Sequence, residues 1–391
     1  MIREATENPH YINRADEPID PHDPFQNPTE VHEYNTDYAE VVPQITLKGC
    51  RIPLIPSTNE RSRIRRFYTL AGVLGAFDYF LASILAVGLY YLVSLFQRSV
   101  DSNLLGGKLP QNYSNIQSQF FSDSSIEIGI NLIAFFLANT IVFLLGSKLS
   151  HIRLKDYFQD QTLPFSKILR YVAVGLFIQF AMGVAADWAY SLFEAMGHEM
   201  YVPDFSMGDS PTKMLLTVLY SCLVAPITEE LVFRGVILKN LSRVSQRLGI
   251  FLSALFFALA HENIPQGLLA FVLGIFLAYI TIENNSLVPA MIVHFSVNTL
   301  NTVMMILQDM QGGSFQTIYS VYVLFVLAFG TAALIYTLMT ERLPATTPHQ
   351  SVRGMNLALS SLGIWLFVIT HVSAMLLPVL LRSVSLFFSK G

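Results

Sequence analysis

Long apolar stretches with few or no charges recur along the sequence and decide what the chain can fold into. A helix of about 20 residues, rising about 1.5 Å per residue, crosses the roughly 30 Å of hydrocarbon in a bilayer. We predict spans near residues 68–96, 126–148, 168–194, 213–238, 249–262, 266–283, 286–308, 316–339 and 357–381, of which the fifth and sixth are short. The expected fold class is therefore all-α, a polytopic membrane helix bundle with about eight or nine transmembrane helices.

Composition agrees with a membrane protein and argues against a nucleic-acid partner. Hydrophobic residues make up 52% of the chain, charged residues make up 13%, and the mean hydropathy is +0.47. The net charge of −4 is small and comes largely from the first 60 residues. We therefore expect the lipid bilayer to be the main surroundings of the chain and expect no nucleic-acid binding.

Basic residues predict the orientation of the spans. They cluster before the first span, after the second and after the fourth, at Arg61, Arg63, Arg65, Arg66, Lys148, Arg153, Lys155, Lys239, Arg243 and Arg247. Loops 101–125 and 195–212 carry more acid than base. Because positive charge marks the cytoplasmic side, we predict an integral, multi-pass membrane protein with its N-terminus in the cytoplasm.

Residues 1–60 differ from the rest, since they are rich in Pro, Asp, Glu, Asn and Thr and lack a helical period. Such a segment is predicted to be a flexible cytoplasmic tail. Residues 61–200 then form the N-terminal transmembrane helices, residues 201–312 a core that contains most of the polar chemistry, and residues 313–391 the C-terminal transmembrane helices.

The fourth span carries ionisable groups that hydrocarbon normally excludes, because each costs a few kcal/mol at membrane depth. Glu230 and Arg234 are four residues apart on one helical face and can form an ion pair, whereas Glu229 is rotated away from that partner. A carboxylate in a partly dry site suits a general base that works near neutral pH. The alternative is that these side chains only extend to the surface at the helix end. Pro226, one turn earlier, is expected to kink the helix and free backbone groups.

Two later spans contribute histidines. His261 ends the fifth span, and His294 and Asn298 share one face of the seventh at four-residue spacing. The latter two could donate hydrogen bonds to a developing oxyanion, although a lone histidine in a span more often bonds a neighbouring helix. His261, His294 and Glu229 lie roughly 18, 12 and 13 Å below the cytoplasmic ends of their helices, so one polar cavity could contain all three. The isolated Asp78 and His371 are interpreted as interhelical hydrogen-bonding residues.

In these residues the sequence resembles the CAAX-protease and bacteriocin-processing (CPBP) family of intramembrane proteases, also called the Abi family. The resemblance rests on three motifs in order: Glu-Glu-x-x-x-Arg at Glu229, Glu230 and Arg234; Phe-x-x-x-His at Phe257 and His261; and His-x-x-x-Asn at His294 and Asn298. Each motif alone is weakly specific, whereas the three together on membrane helices are a strong signal. The resemblance makes residues 201–312 a CPBP-like catalytic core.

The resemblance implies a glutamate-dependent endopeptidase that hydrolyses a peptide bond inside the membrane. Glu229 with His261 would activate a water molecule, and His294 with Asn298 would stabilise the tetrahedral oxyanion. The substrate would be a peptide or a membrane-protein segment, such as a prenylated CAAX-type C-terminus or a bacteriocin leader.

The resemblance also implies supporting residues and an open question about metal. Glu230 and Arg234 would hold the fourth span in place, and Phe257 belongs to the second motif. The family has also been described as a metalloprotease, in which case His261, His294 and a glutamate would bind Zn²⁺, since two histidines and one carboxylate match an open catalytic zinc site.

Two other functions remain open at the level of sequence. A non-proteolytic membrane protein, either an immunity factor or a scaffold, could keep the same fold, but it has no need of a free Glu229. A transporter or channel could be lined by the same polar residues. That function predicts paired repeats and broken helices in both halves, and the sequence contains only the break at Pro226.

Overall fold

The computed structural model describes residues 58–101, 124–158, 163–196, 211–243, 245–310, 314–342, 344 and 348–389. The tail up to residue 57 and the loops 102–123 and 197–210 lie outside the described residues, as do the predictions made for them. Within the described ranges the chain is almost entirely helical, apart from an isolated antiparallel bridge between Phe158 and Ser286. The all-α fold class is confirmed.

The described helices, in chain order, are α1 Thr58–Asp101, α2 Ser124–Leu149, α3 Phe165–Ala195, α4 Pro211–Leu241, α5 Gln246–Leu259, α6 Ile264–Asn284, α7 Val288–Asp309, α8 Phe315–Thr340, α9 Pro348–Leu359 and α10 Leu362–Ser389. In the described part of the chain, seven helices are long and apolar enough to cross a membrane: α1, α2, α3, α4, α6, α7 and α8. The fifth and ninth predicted spans correspond to the shorter apolar helices Gln246–Leu259 and Leu362–Leu377. The chain is thus a polytopic membrane bundle.

Local signals in the sequence set where the helices around the site begin and end. The side chain of Ser245 caps α5 by accepting a hydrogen bond from the backbone N–H of Leu248 at 3.3 Å. Asn263 caps α6 in the same way, through the N–H of Gln266 at 3.0 Å. The α6 helix ends at Asn285, whose φ of 47° is left-handed, and α7 starts directly afterwards. These short turns keep α5, α6 and α7 side by side.

Small residues let the helices around α4 approach closely. A Cβ atom on Gly146 of α2 would lie 2.6 Å from the Val236 side chain of α4. Helices α1 and α10 cross at Gly72 and Gly363, and a Cβ on Gly72 would lie only 2.1 Å from the carbonyl oxygen of Gly363. The α1 and α10 backbones can therefore touch only because both residues lack side chains.

Candidate active site

A cavity of about 760 Å³ lies between the helices and is lined by residues from α1 to α7, from the turn after α5 and from α10. Its polar and charged lining includes Asp78, Tyr79, Asn139, Glu229, His261, Glu262, His294, Asn298 and His371. All four residues for which the sequence predicted a catalytic role therefore line one space.

Glu229 lies at the junction of two helix types within α4. A short α-helical segment, Ala225–Glu229, separates the π-helical segments Leu219–Val224 and Glu230–Ile237. The Glu229 side chain is largely buried but lines the cavity, and its Oε2 atom is 3.9 Å from Nε2 of His294. Short π-helical stretches often mark functional positions, because they shift the face on which the following side chains project.

Glu230 is fully buried and joins two of the motifs. Its Oε1 atom is 2.9 Å from Nη1 of Arg234, the ion pair expected from their four-residue spacing, and also 2.9 Å from Nδ1 of His294. Since Nδ1 of His294 donates to this carboxylate, its Nε2 atom is the ring nitrogen that faces Glu229. Glu230 therefore connects α4 to α7 and fixes the orientation of the His294 ring.

Phe257 packs at the centre of the charged residues. The Arg234 guanidinium lies over its ring at 4.1 Å, a cation–π contact in a fully buried setting. The same ring meets His261 and His294 edge to face, with centroids 4.8 and 5.8 Å apart. The phenylalanine of the second motif thus positions both histidines and covers the arginine.

His261 is held by its own helix end. Its Nδ1 atom is 2.8 Å from the carbonyl oxygen of Phe257, which can only accept a hydrogen bond. In the neutral ring the proton therefore sits on Nδ1, and Nε2 is left with a lone pair. Nε2 can accordingly accept a hydrogen bond from a water molecule in the cavity.

Asn298 makes a contact that follows from Pro226. The N–H of Ala225 bonds to Tyr220, and the next residue, Pro226, has no N–H to offer the carbonyl of Ser221 in the π-helical segment. The side-chain amide of Asn298 donates to that carbonyl oxygen at 3.0 Å. The backbone group that Pro226 frees is therefore the carbonyl of Ser221. Helix α4 nevertheless continues through the proline as one helix from Pro211 to Leu241.

The structure adds residues that the motifs do not contain. With its amide oriented so that both ends are satisfied, Asn139 donates to the carboxylate of Asp78 at 2.9 and 3.1 Å and accepts from the Thr228 hydroxyl at 3.0 Å. His371 lines the cavity and its Nδ1 atom is 3.2 Å from Oε1 of Glu262. The only signal in the sequence for Asp78 and His371 is that each is an isolated acidic or basic residue in a predicted span.

The side chains do not fit the zinc interpretation. A catalytic zinc ion needs three protein ligands at about 2.0–2.3 Å around one point. Across the described ranges, no three His, Cys, Asp or Glu side chains are grouped as a metal would require. The Nδ1 atoms of His261 and His294 bond a carbonyl and Glu230, which leaves their Nε2 atoms available, but the two histidines and Glu229 are not grouped closely enough to hold one ion.

Comparison with known proteins agrees with the three motifs. Residues 211–300 match the family model described as type II CAAX prenyl endopeptidase Rce1-like. No curated protein and no solved structure matches the chain. The matched range begins with α4, ends within α7 and contains all seven motif residues. The resemblance to the CPBP family is thus confirmed over residues 211–300, and the class of protein that this match supports is an intramembrane CAAX-type protease.

Proposed function

We propose that this protein is an intramembrane endopeptidase in which Glu229 drives hydrolysis of a peptide bond by water. The observation that supports it best is that Glu229, His261, His294 and Asn298, from three separate helical regions, line one cavity. A scaffold or an immunity factor would gain nothing from gathering acidic and basic groups around a space at membrane depth, where each is costly.

Water activation is assigned to Glu229 and His261. A water molecule between them would transfer a proton to the Glu229 carboxylate as its oxygen attacks the carbonyl carbon of the substrate. The lone pair on Nε2 of His261, left by the Nδ1 bond to Phe257, orients that water by accepting its other hydrogen. Glu229 then passes the proton to the leaving nitrogen as the C–N bond breaks, which regenerates the carboxylate.

Oxyanion stabilisation is assigned to His294 and Asn298. When His294 is protonated on both nitrogens, Glu230 accepts a hydrogen bond from Nδ1–H, and Nε2–H can donate to the oxyanion. Asn298 uses one amide hydrogen for Ser221 and retains a second for the same oxyanion. Both donors are fixed before the substrate arrives, so little reorganisation is needed in the transition state.

Glu230, Arg234 and Phe257 are positioning residues in this proposal. Their ion pair and cation–π contact are fully buried and lie one helical turn from Glu229. They orient His294 and hold the π-helical part of α4 in place. The substrate we propose is a peptide or membrane-protein segment, most specifically a prenylated CAAX-type C-terminus, as the match over residues 211–300 favours.

Cleavage of quenched fluorescent peptides by the purified protein tests the proposal. The panel includes a prenylated CAAX-type C-terminus, its unprenylated form and a bacteriocin-leader sequence. We expect the wild type to cleave at least the prenylated peptide and Glu229→Gln to be inactive. A zinc chelator should leave the rate unchanged, because no three possible ligands are grouped around one point among the described residues.

Ser320→Ala is a suitable control, since Ser320 is exposed on α8 and bonds only the Gln316 carbonyl of its own helix. It should cleave at the wild-type rate. The non-proteolytic scaffold would be favoured if the wild type and Glu229→Gln cleave equally well. It would also be favoured if the folded wild type cleaves no peptide in the panel.

A further inference from the structure

Glu262 and His371 form a second pair of polar side chains in the cavity, which the mechanism above does not use. The His371 side chain is 5% exposed, and its Nδ1 atom is 3.2 Å from Oε1 of Glu262, whose side chain is 30% exposed. Its other nitrogen, Nε2, is buried and has no hydrogen-bond partner among the residues that the structure describes. A buried nitrogen without a partner is unfavourable, so this arrangement calls for a ligand.

The turn after α5 directs Glu262 into the cavity. Glu262 has a φ of 55°, a left-handed conformation that residues other than glycine rarely adopt and that is often found at functional sites. Asn263 stabilises the turn, because its side chain caps α6 and its amide donates to the carbonyl of His261 at 2.7 Å. The turn therefore places Glu262 beside the proposed catalytic His261.

Helix α10 brings His371 to the same place. The close crossing of Gly72 and Gly363 lies two turns before His371 along α10, and hydroxyl groups of Thr69 and Ser361 bond beside it at 3.0 Å. The imidazole packs against Phe367, with centroids 4.3 Å apart, and against the edge of Tyr79 at 5.3 Å. The orientation of the ring is thus fixed by contacts on both sides.

The chemistry of this pair defines the ligand. A carboxylate only accepts hydrogen bonds, so Nδ1 of His371 donates to Glu262 and Nε2 of the neutral ring is an acceptor. The lining of the cavity includes three carboxylates, those of Asp78, Glu229 and Glu262, and contains no lysine or arginine among the described residues. Beside this pair, such surroundings favour an N–H donor over an anionic group.

We propose that Glu262 and His371 form a peptide-binding subsite, in which Nε2 of His371 accepts a hydrogen bond from a backbone N–H of the substrate. This inference rests on the proposed function, since it assumes that a peptide enters the cavity. A peptide backbone that leaves water must regain acceptors for its N–H groups, and His371 supplies one from α10, outside the matched range. His371 would hold the peptide, and Glu262 would keep the imidazole in the accepting tautomer.

Binding measured in the Glu229→Gln protein separates this inference from the cleavage step. The probe is the fluorescent prenylated CAAX-type peptide, together with a series in which one backbone nitrogen at a time is methylated. Adding His371→Phe should weaken binding of the unmodified peptide about tenfold, the value of one buried hydrogen bond. In the Glu229→Gln protein, one methylated peptide should bind about tenfold more weakly than the unmodified peptide. In the protein that also carries His371→Phe, that methylated peptide and the unmodified peptide should bind equally well.

The carboxylate is tested by a matched pair of changes in the same background. Glu262→Gln keeps an oxygen that accepts from Nδ1 and should preserve affinity, whereas Glu262→Met removes the acceptor and should weaken binding. Phenylalanine at position 371 retains the aromatic packing against Phe367, so thermal unfolding of the variant should match that of its parent.

Unchanged affinity on adding His371→Phe would overturn the proposal. The same holds if methylation weakens binding equally in both proteins, or if the Glu229→Gln protein binds no peptide. Failure of the proposed function looks different, because it appears as cleavage by the full chain that does not depend on Glu229.

Discussion

Two walls of the cavity are built in different ways. The matched wall, from α4, α5 and α7, contains Glu229, His261 and His294 and is held by the buried contacts of Glu230 with Arg234 and His294. The flanking wall, from α1, α2 and α10, is held by close backbone approach and by hydroxyl and amide hydrogen bonds. The stacked rings of Phe256 and Phe367, 3.9 Å apart, join α10 to α5 of the matched wall. Under the proposed function, this difference assigns the chemistry to the matched wall and substrate binding to the flanking wall.

The largest expected effect separates the carboxylates of the two walls. Glu229→Gln should lower kcat/KM for the prenylated peptide by about 10²- to 10⁴-fold, the usual contribution of a general base. Asp78→Asn should lower it less than about tenfold, because a neutral amide still bonds Asn139 and removes no proton acceptor from the water. Steady-state cleavage rates of both variants give the comparison. A loss at Asp78 as large as that at Glu229 would assign catalysis to both walls.

The next effect concerns the stability of the matched wall. Arg234→Met should lower the free energy of unfolding by about 3–5 kcal/mol, because Glu230 stays buried without its countercharge. Adding Glu230→Gln should recover part of this loss, since the uncompensated charge is then removed. Unfolding of the purified protein in detergent, followed by circular dichroism, measures both variants. If the double variant is no more stable than Arg234→Met, the buried charge is not the cause.

The stability of the flanking wall should depend on the size of the side chains at its helix crossing and not on their charge. Gly72→Ala should cost about 1–3 kcal/mol, because its Cβ meets the Gly363 backbone and the helices must separate. Gly88→Ala on the same helix is the control: a Cβ there meets nothing within 4 Å, and the exchange should stabilise α1 by about 0.5–1 kcal/mol. The same unfolding assay compares the two. Equal effects at Gly72 and Gly88 would contradict a tight crossing of α1 and α10.

Which features of this structure can be predicted from the sequence depends on how far apart in the chain the interacting residues lie. Spans of about 20 apolar residues are a local property, and most of them were predicted to within a few residues. The ion pair of Glu230 and Arg234 was predictable too, because four-residue spacing fixes it within one helix. The bond from Glu230 to His294 was not, since it joins helices α4 and α7 across 64 positions and depends on their packing.

Other contacts between helices also differ in how far the sequence predicts them. The bond between Asn298 and Ser221 has a partial signal, because Pro226 removes the backbone donor and some other group must replace it. His371 has no such signal, since nothing in α10 indicates which turn of the chain it meets. The cytoplasmic position of the N-terminus stays a prediction from the distribution of basic residues.

The smallest expected effect tests how the matched wall accommodates its π-helical segment. The carbonyl of Phe233 bonds the N–H of Leu238 and also accepts from the buried hydroxyl of Ser253 on α5, at 3.1 Å. Ser253→Ala should therefore lower the free energy of unfolding by about 0.5–1.5 kcal/mol, the net value of one hydrogen bond. Ser320→Ala removes an exposed hydroxyl that bonds its own helix, so it should cost less. If both changes lower the free energy of unfolding equally, the hydroxyl of Ser253 does not hold α5 against the π-helical turn. The rings of Phe233 and Phe257, with centroids 5.1 Å apart, would then account for that contact.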